Sequence, residues 1–93
     1  MTIAIDYDDT YTVDPDFWNE VIMSAQRRGH DVVVVTARPD TEETRCEMRA
    51  VFDMWEVVVH FSGDEPKADY ARRNGLAVDV WVDDSPGWIV GVT

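Results

Sequence analysis

The chain has 93 residues and a formal net charge of −11, with 19 acidic against 8 basic side chains. This length allows one small domain, 1–93, and the acidity argues against a nucleic-acid binder with a broad basic face. A single cysteine excludes a disulfide framework. Charge begins at Asp6, before any long apolar run, so we expect no signal peptide, no membrane contact and a cytoplasmic location. So small a core leaves a homo-oligomer open.

The N-terminal stretch predicts a strand followed by a helix. A short β-branched apolar run predicts a buried strand over 2–6. Asp14 is expected to cap a helix that begins at Pro15, because proline suits the first helical turn. Apolar residues recur at helical spacing until Gly29 ends this helix.

The middle of the chain repeats the pattern. Four consecutive valines in 31–36 predict a central parallel strand that is covered on both faces. Asp40 is expected to cap a second helix, with Glu43 as its capping-box partner. Its apolar face is expected to contain Met48, Val51, Phe52 and Trp55.

The last third predicts a strand over 57–61, a helix that begins near Lys67 and stops at Gly75, and a strand over 78–82. The tail, 88–93, is expected to add a short extra strand. Strands that alternate with helices through short connections predict an α/β domain with a mostly parallel sheet.

Acidic side chains cluster where the first strand ends. Asp6 and Asp8 are two residues apart, so both point to the same side of an extended backbone. Like charges this close repel unless a cation or a shared proton lies between them. Ligands of open parallel sheets also bind at the carboxyl ends of the strands. The pattern favours a hard divalent cation, Mg²⁺, although Asp-rich stretches also form turns and cap helices.

Polar residues also follow later strands. Thr36 ends the second strand, Asp83 and Asp84 end the fourth, and Lys67 begins the helix before it. Each also has an ordinary interpretation, as a turn hydroxyl, an acidic turn or a solvated lysine. Their common position at one edge of one sheet favours a single site.

The order and spacing of these residues resemble the four motifs of the haloacid dehalogenase superfamily over nearly the whole chain. The matching residues are, in motif order, Asp6-Tyr7-Asp8-Asp9-Thr10, Thr36 after Val32-Val33-Val34-Val35, Lys67, and Asp83-Asp84 after Val80-Trp81-Val82. The resemblance implies a three-layer α/β/α, Rossmann-like fold and Mg²⁺-dependent hydrolysis of a phosphomonoester through an aspartyl-phosphate.

The resemblance also implies roles for the acidic residues. Asp6 would attack phosphorus, while Asp8 would protonate the leaving oxygen and then take a proton from the hydrolytic water. Mg²⁺ would be held by Asp6, the backbone carbonyl of Asp8 and the acidic pair. Asp84 is the expected direct ligand, and Asp83 is expected to orient Lys67 or a metal-bound water.

The remaining motif residues would bind the phosphate group. Lys67 would neutralise the phosphate and Asp6 together. Thr36 and the backbone N–H groups of Ala37 and Arg38 would donate hydrogen bonds to phosphate oxygens. The Arg38 side chain is a candidate substrate contact, and an exposed loop arginine is an equal alternative.

Larger members of the superfamily carry a cap domain after the first motif or after the third strand. Here few residues separate Thr10 from Pro15, and few separate Phe61 from Pro66, so we expect no cap. The site would then be open or covered by a neighbouring subunit. A nucleotide or another small phosphorylated metabolite is the expected substrate, with a phosphoprotein or a polynucleotide end as alternatives.

Two other classes of protein fit part of the pattern. Receiver-type signalling domains also place aspartates, a threonine and a lysine around Mg²⁺, but their lysine comes last, whereas Lys67 precedes Asp83 and Asp84. A binding module that kept the fold without catalysis stays open as an alternative.

Overall fold

The structure, a computed structural model, describes residues 1–91. Four parallel strands form one sheet in the order β3-β2-β1-β4; they are β1 Thr2–Ile5, β2 Asp31–Thr36, β3 Val58–Phe61 and β4 Val80–Val82. The α-helices of the described residues are α1 Pro15–Arg27, α2 Glu42–Phe52, α3 Lys67–Arg73 and α4 Gly87–Val90. Short 3-10 helices lie at Tyr11–Val13 and Asp53–Trp55.

The sheet has a core on each face. On one face Ile5 and Val34 are buried together with Ile22 of α1 and Phe52 of α2. The other face buries a smaller cluster, which consists of Ala4, Val33 and Val35 with Leu76, Val78 and Trp81 packed against it. Successive side chains of a strand point to opposite faces, so the continuous valine run of β2 fills both cores.

The expected α/β class and the mostly parallel sheet are confirmed, and the sheet is parallel throughout. The fourth strand begins at Val80 rather than at residue 78. Residues before it still meet β1, because Asp79 accepts a hydrogen bond from Thr2 N at 2.7 Å and donates one to Thr2 O at 2.9 Å. The cap of α1 is also confirmed, since Asp14 Oδ1 accepts a hydrogen bond from Phe17 N at 3.2 Å.

The expected cap of the second helix is wrong. The N-cap is Thr41, whose Oγ1 accepts a hydrogen bond from Thr44 N at 3.2 Å, while Thr44 Oγ1 accepts one from Thr41 N at 3.1 Å. The helix therefore starts at Glu42, one residue later than an Asp40 cap requires. Asp40 instead forms an ion pair with Arg45.

The expected strand at the tail is also wrong where the structure describes it. Residues Gly87–Val90 form α4, and residues 92 and 93 of that expectation lie outside the described part. Ile89 N donates to Pro86 O at 2.9 Å, which starts the helical turn. Gly91 then adopts φ 77°, and a Cβ there would lie 2.8 Å from Pro66 Cγ, so this position requires glycine.

The connections that could hold a cap domain are short. Between β1 and α1 lie only a tight loop and a 3-10 helix, and Ser62–Pro66 join β3 to α3. The carboxyl ends of β1, β2 and β4 are therefore left uncovered by any inserted segment of the described residues.

Within residues 1–91, no helix is both long and apolar enough to cross a membrane.

The alternative caps of α2 can be separated by mutation. Thr41→Ala removes the acceptor for Thr44 N, so we expect the free energy of unfolding to fall by about 1 kcal/mol in urea titrations. Asp40→Ala removes only an exposed ion pair and is expected to change stability less. A larger loss in Asp40→Ala than in Thr41→Ala would contradict this assignment.

Candidate functional site

Two backbone hydrogen bonds fix the position of Asp6. Its N–H donates to Val82 O at 2.9 Å, so the pairing of β1 with β4 extends one residue past the end of β1. Its carbonyl accepts a hydrogen bond from Tyr11 N at 3.3 Å. Asp6 therefore projects from the sheet edge beside the end of β4, where Asp83 and Asp84 follow.

The loop after Asp6 turns tightly back toward β4. Asp9 adopts a left-handed backbone, φ 61°, which aspartate tolerates better than most residues, and its N–H donates to Thr12 Oγ1 at 3.0 Å. Tyr7 is buried under the loop and stacks on Tyr11, with ring centroids 5.8 Å apart. This packing positions Thr10 next to Asp84 of the acidic pair.

Lys67 lies at the centre of the site and is buried. Its side chain is 2 % exposed, and Nζ lies 2.8 Å from Asp6 Oδ1 and 2.6 Å from Asp83 Oδ2. The side chain of Asp83 is equally buried, at 2 % exposure. A buried ammonium is stable only when it is paired, so the interpretation of Lys67 as a solvated lysine is wrong. Lys67 is also the only lysine of the chain; the other basic side chains are arginines.

Thr10 joins the first motif to the acidic pair. Its Oγ1 lies 3.0 Å from Asp84 Oδ1 and 3.4 Å from Asp6 Oδ2, and it accepts a hydrogen bond from Asp84 N at 3.2 Å. The sequence analysis gave Thr10 no role, although Thr10 closes the Asp-x-Asp-x-Thr pattern. The buried hydroxyl fixes the distance between the two carboxylates.

Three carboxylates converge at this edge. Asp6, Asp83 and Asp84 each offer an oxygen, and these oxygens all lie within 4.8 Å of one another. Asp83 is already bound by Lys67 and by Ser85 N, which donates at 2.8 Å, whereas Asp84 is exposed. Hard oxygen donors of this kind suit Mg²⁺, so the donor set fits a divalent cation held by Asp6 and Asp84.

The pKa values of two of these carboxyl groups, Asp6 and Asp84, are shifted by their surroundings. Burial raises the pKa of Asp6 from 3.8 to about 6, against the opposing effect of Lys67. A hydrogen bond from Asp6 lowers the pKa of Asp84. The two pKa shifts are opposite in direction, so a proton bound by this pair resides on Asp6 rather than on Asp84.

Asp8 lies in a second ionic group beside the cluster. Arg38 binds it bidentately, with Nε 2.9 Å from Oδ2 and Nη2 2.9 Å from Oδ1, and also forms an ion pair with Glu47. The guanidinium lies 5.1 Å from the centroid of the Tyr7 ring. Glu47 was not anticipated, because nothing in its sequence position on α2 distinguishes it from a solvated glutamate.

A cavity of about 180 Å³ opens onto the cluster. The side chains that line it are Asp6, Asp8, Asp9, Ala37, Lys67, Asp83, Asp84, Ser85 and Trp88. Thr36 and Arg38, both expected at the phosphate, are not among them. Thr36 is buried, and its Oγ1 accepts a hydrogen bond from Arg38 N at 3.2 Å, so it closes the turn after β2.

A larger surface groove of about 660 Å³ lies along β3 and α2. Its charged residues include the Asp40–Arg45 pair, and both members are well exposed. The smaller cavity is the better candidate site, because it holds a buried lysine and converging carboxylates, and because the pKa of Asp6 is raised there.

Comparisons of the chain with protein-family models, with curated proteins and with solved structures find no match. Its activity must therefore be inferred from the site itself.

Removing the buried ammonium leaves two carboxylates unpaired. Lys67→Met is expected to lower the free energy of unfolding by roughly 3 kcal/mol or more at pH 7.5, because Asp6 and Asp83 then repel each other in a poorly solvated place. The loss should shrink at pH 5, where Asp6 takes up a proton. Arg27→Met, which removes an exposed positive charge of α1, is the matched control and should cost little. Equal losses in both variants would contradict the burial argument.

The raised pKa of Asp6 also predicts a pH dependence of the metal-free protein. The folded value of about 6 lies above the unfolded value, so this contribution to stability is fully present below pH 3.8 and is lost as pH rises through about 6. The loss is on the order of 3 kcal/mol. Saturating MgCl₂ should restore stability at pH 7.5 and do little at pH 5, where the proton competes with the cation. Thermal unfolding with MgCl₂ or EDTA measures this, and an Asp84→Asn variant should respond much less.

Proposed function

We propose that the chain is a capless phosphomonoester hydrolase of the haloacid dehalogenase superfamily, with a three-layer Rossmann-like fold. One observation carries the proposal. The chain's single lysine is buried with its Nζ between Asp6, which ends β1, and Asp83, which follows β4. A carboxylate that attacks a phosphate dianion meets electrostatic repulsion, and a fixed ammonium at the nucleophile reduces it.

Asp6 is the proposed nucleophile. An oxygen of Asp6 forms a bond to phosphorus as the ester P–O bond breaks, and the leaving oxygen takes a proton from Asp8. A water molecule then attacks phosphorus, gives a proton to Asp8, and the acyl-phosphate P–O bond breaks. Inorganic phosphate is released and the Asp6 carboxylate is regenerated. The backbone hydrogen bonds of Asp6 to Val82 and Tyr11 fix its direction of attack.

Asp6 and Asp84 would hold the Mg²⁺ ion, together with the backbone carbonyl of Asp8. When bound, Mg²⁺ supplies positive charge against the phosphate oxygens. Asp83 orients Lys67 through the 2.6 Å contact with its Nζ. Thr10 sets the position of Asp84 relative to Asp6.

The acid role of Asp8 requires its pair with Arg38 to open. Both oxygens of Asp8 accept hydrogen bonds from the guanidinium. An oxygen that carries the catalytic proton is a weaker acceptor, so protonation of Asp8 weakens its pair with Arg38. A guanidinium also binds phosphate bidentately. We therefore expect the substrate phosphate to take Arg38 from Asp8, with the N–H of Ala37, which lines the cavity, as a further donor.

A small phosphorylated metabolite or nucleotide is the proposed substrate, because the cavity at the cluster is only about 180 Å³. Phosphoprotein and polynucleotide ends are the alternatives among substrates, and a non-catalytic binding module is the alternative among functions. The exposed free thiol of Cys46 suits a reducing compartment, so we place the enzyme in the cytoplasm.

The proposal is tested by phosphate release from a panel that contains 4-nitrophenyl phosphate, a nucleoside monophosphate, a sugar phosphate and a phosphopeptide. We expect turnover with MgCl₂, none with EDTA, and a loss of at least about 10³-fold in Asp6→Asn. Asp64→Asn, in the exposed loop before α3, is the matched control and should retain the rate. A folded protein that binds Mg²⁺ but turns over no ester would favour the binding module.

The acid role of Asp8 predicts a dependence on the leaving group. Asp8→Asn should slow an alkyl phosphate far more than 4-nitrophenyl phosphate, because the nitrophenolate leaves without a proton. The ratio of the two kcat values in wild type and variant measures this. If both esters lose rate by the same factor, Asp8 is not the acid.

A further inference from the structure

A second cavity adjoins the cavity of the acidic cluster. It has a volume of about 430 Å³, and both cavities are lined by Asp9, Asp83 and Asp84. Volumes of about 300 to 1,000 Å³ are typical of small-molecule sites. We call this cavity the aromatic groove after the apolar residues in its wall, which are Val13, Phe17, Trp18 and Val82.

The apolar wall of the aromatic groove is exposed and yet held in place. Phe17 is 51 % exposed and Val13 is 74 % exposed. Phe17 lies in the first turn of α1, where its N–H donates to the Asp14 cap, and its ring meets the Trp18 ring edge-on with centroids 5.0 Å apart. Trp18 in turn packs against the main core. An exposed aromatic ring that packs edge-on against a core residue offers a contact surface for another apolar group.

The charges around the aromatic groove restrict what it accepts. Its ionisable lining residues are aspartates, Asp9 and Asp14 together with the shared pair, and the described lining contains no lysine, arginine or histidine. A second phosphate group here would meet the carboxylates of Asp9 and Asp14 without a cationic side chain in the lining to offset them. A neutral ring would meet Phe17 and Val13 without that penalty.

We propose that the aromatic groove binds the alcohol part of the substrate, and that this part is a neutral aromatic group stacked on Phe17. The inference rests on the proposed function, because it places the phosphate in the cavity of the acidic cluster. A single substrate molecule occupies both cavities, and its scissile oxygen lies beside the aspartates that line both. Nucleoside diphosphates and polynucleotide ends are then poor substrates, because their additional phosphates would face the aspartates.

Benzyl phosphate and ethyl phosphate test this directly, because their alcohols have similar acidity and differ mainly in the ring. With MgCl₂, kcat/KM for benzyl phosphate should exceed that for ethyl phosphate by about tenfold. Phe17→Ala should bring this ratio to within about twofold of unity, mainly by lowering kcat/KM for benzyl phosphate. Val13→Ser should lower the ratio by a smaller factor, and it serves as a second variant should Phe17→Ala fold poorly. Met54→Ala, an exposed apolar residue outside the groove, is the control and should keep the ratio.

Binding of benzylphosphonate and ethylphosphonate, measured by calorimetry with MgCl₂, separates this inference from the hydrolase assignment. Tighter binding of benzylphosphonate that is lost in Phe17→Ala supports the groove even if no ester is hydrolysed. Equal binding and equal kcat/KM for the benzyl and ethyl compounds overturn the groove even if hydrolysis is fast. A concentration-dependent dimer in sedimentation that Phe17→Ala dissociates would show that a second copy occupies the groove, and would also overturn it.

Discussion

The buried ion pairs of Lys67 are the constraint on which the rest of the site depends. An ammonium at 2 % exposure is tolerated only because Asp6 and Asp83 lie within 2.8 Å of it. Those two aspartates come from opposite ends of the chain and meet because β1 and β4 are neighbours in the sheet. The stability of the edge and its chemistry therefore rest on the same three side chains. An arginine would not serve equally, since its planar guanidinium is larger than a point-like ammonium.

The acidic side chains differ in how their negative charge is compensated. Most acidic side chains are solvated or paired with arginines, as in the Asp40–Arg45 and Glu65–Arg73 pairs. At the sheet edge, by contrast, Asp6, Asp83 and Asp84 exceed the single ammonium beside them. Burial raises the pKa of Asp6 to about 6, so a proton competes with a cation for this carboxylate below that pH. Excess negative charge is thus concentrated at the edge where we propose that a divalent ion binds.

The small size of the fold gives the site its openness. The described residues form four strands joined by short connections, so no inserted segment covers the carboxyl ends of the strands. In the function we propose, selection of a substrate comes from the first turn of α1 and the loop before it. The exposed ring of Phe17, held by Trp18 and by the Asp14 cap, is the part of this surface with a defined shape. In the function we propose, the helix that follows Asp6 therefore supplies the surface that a cap domain supplies in larger proteins.

The sequence alone determined the α/β class, the parallel sheet and the edge at which Asp6, Asp83 and Lys67 meet, because strand and helix periodicities are local and parallel strands align their ends. It misplaced the cap of α2 by one residue, since Asp40 and Thr41 are both good caps and only the helix geometry chooses between them. It gave Thr10 no role and missed the Asp8–Arg38–Glu47 group, and it gave the short helix α4 as a strand. The contacts of Thr10 with Asp84 and of Asp8 with Arg38 join residues far apart in the chain, and α4 packs against α3, so only the tertiary structure decides them.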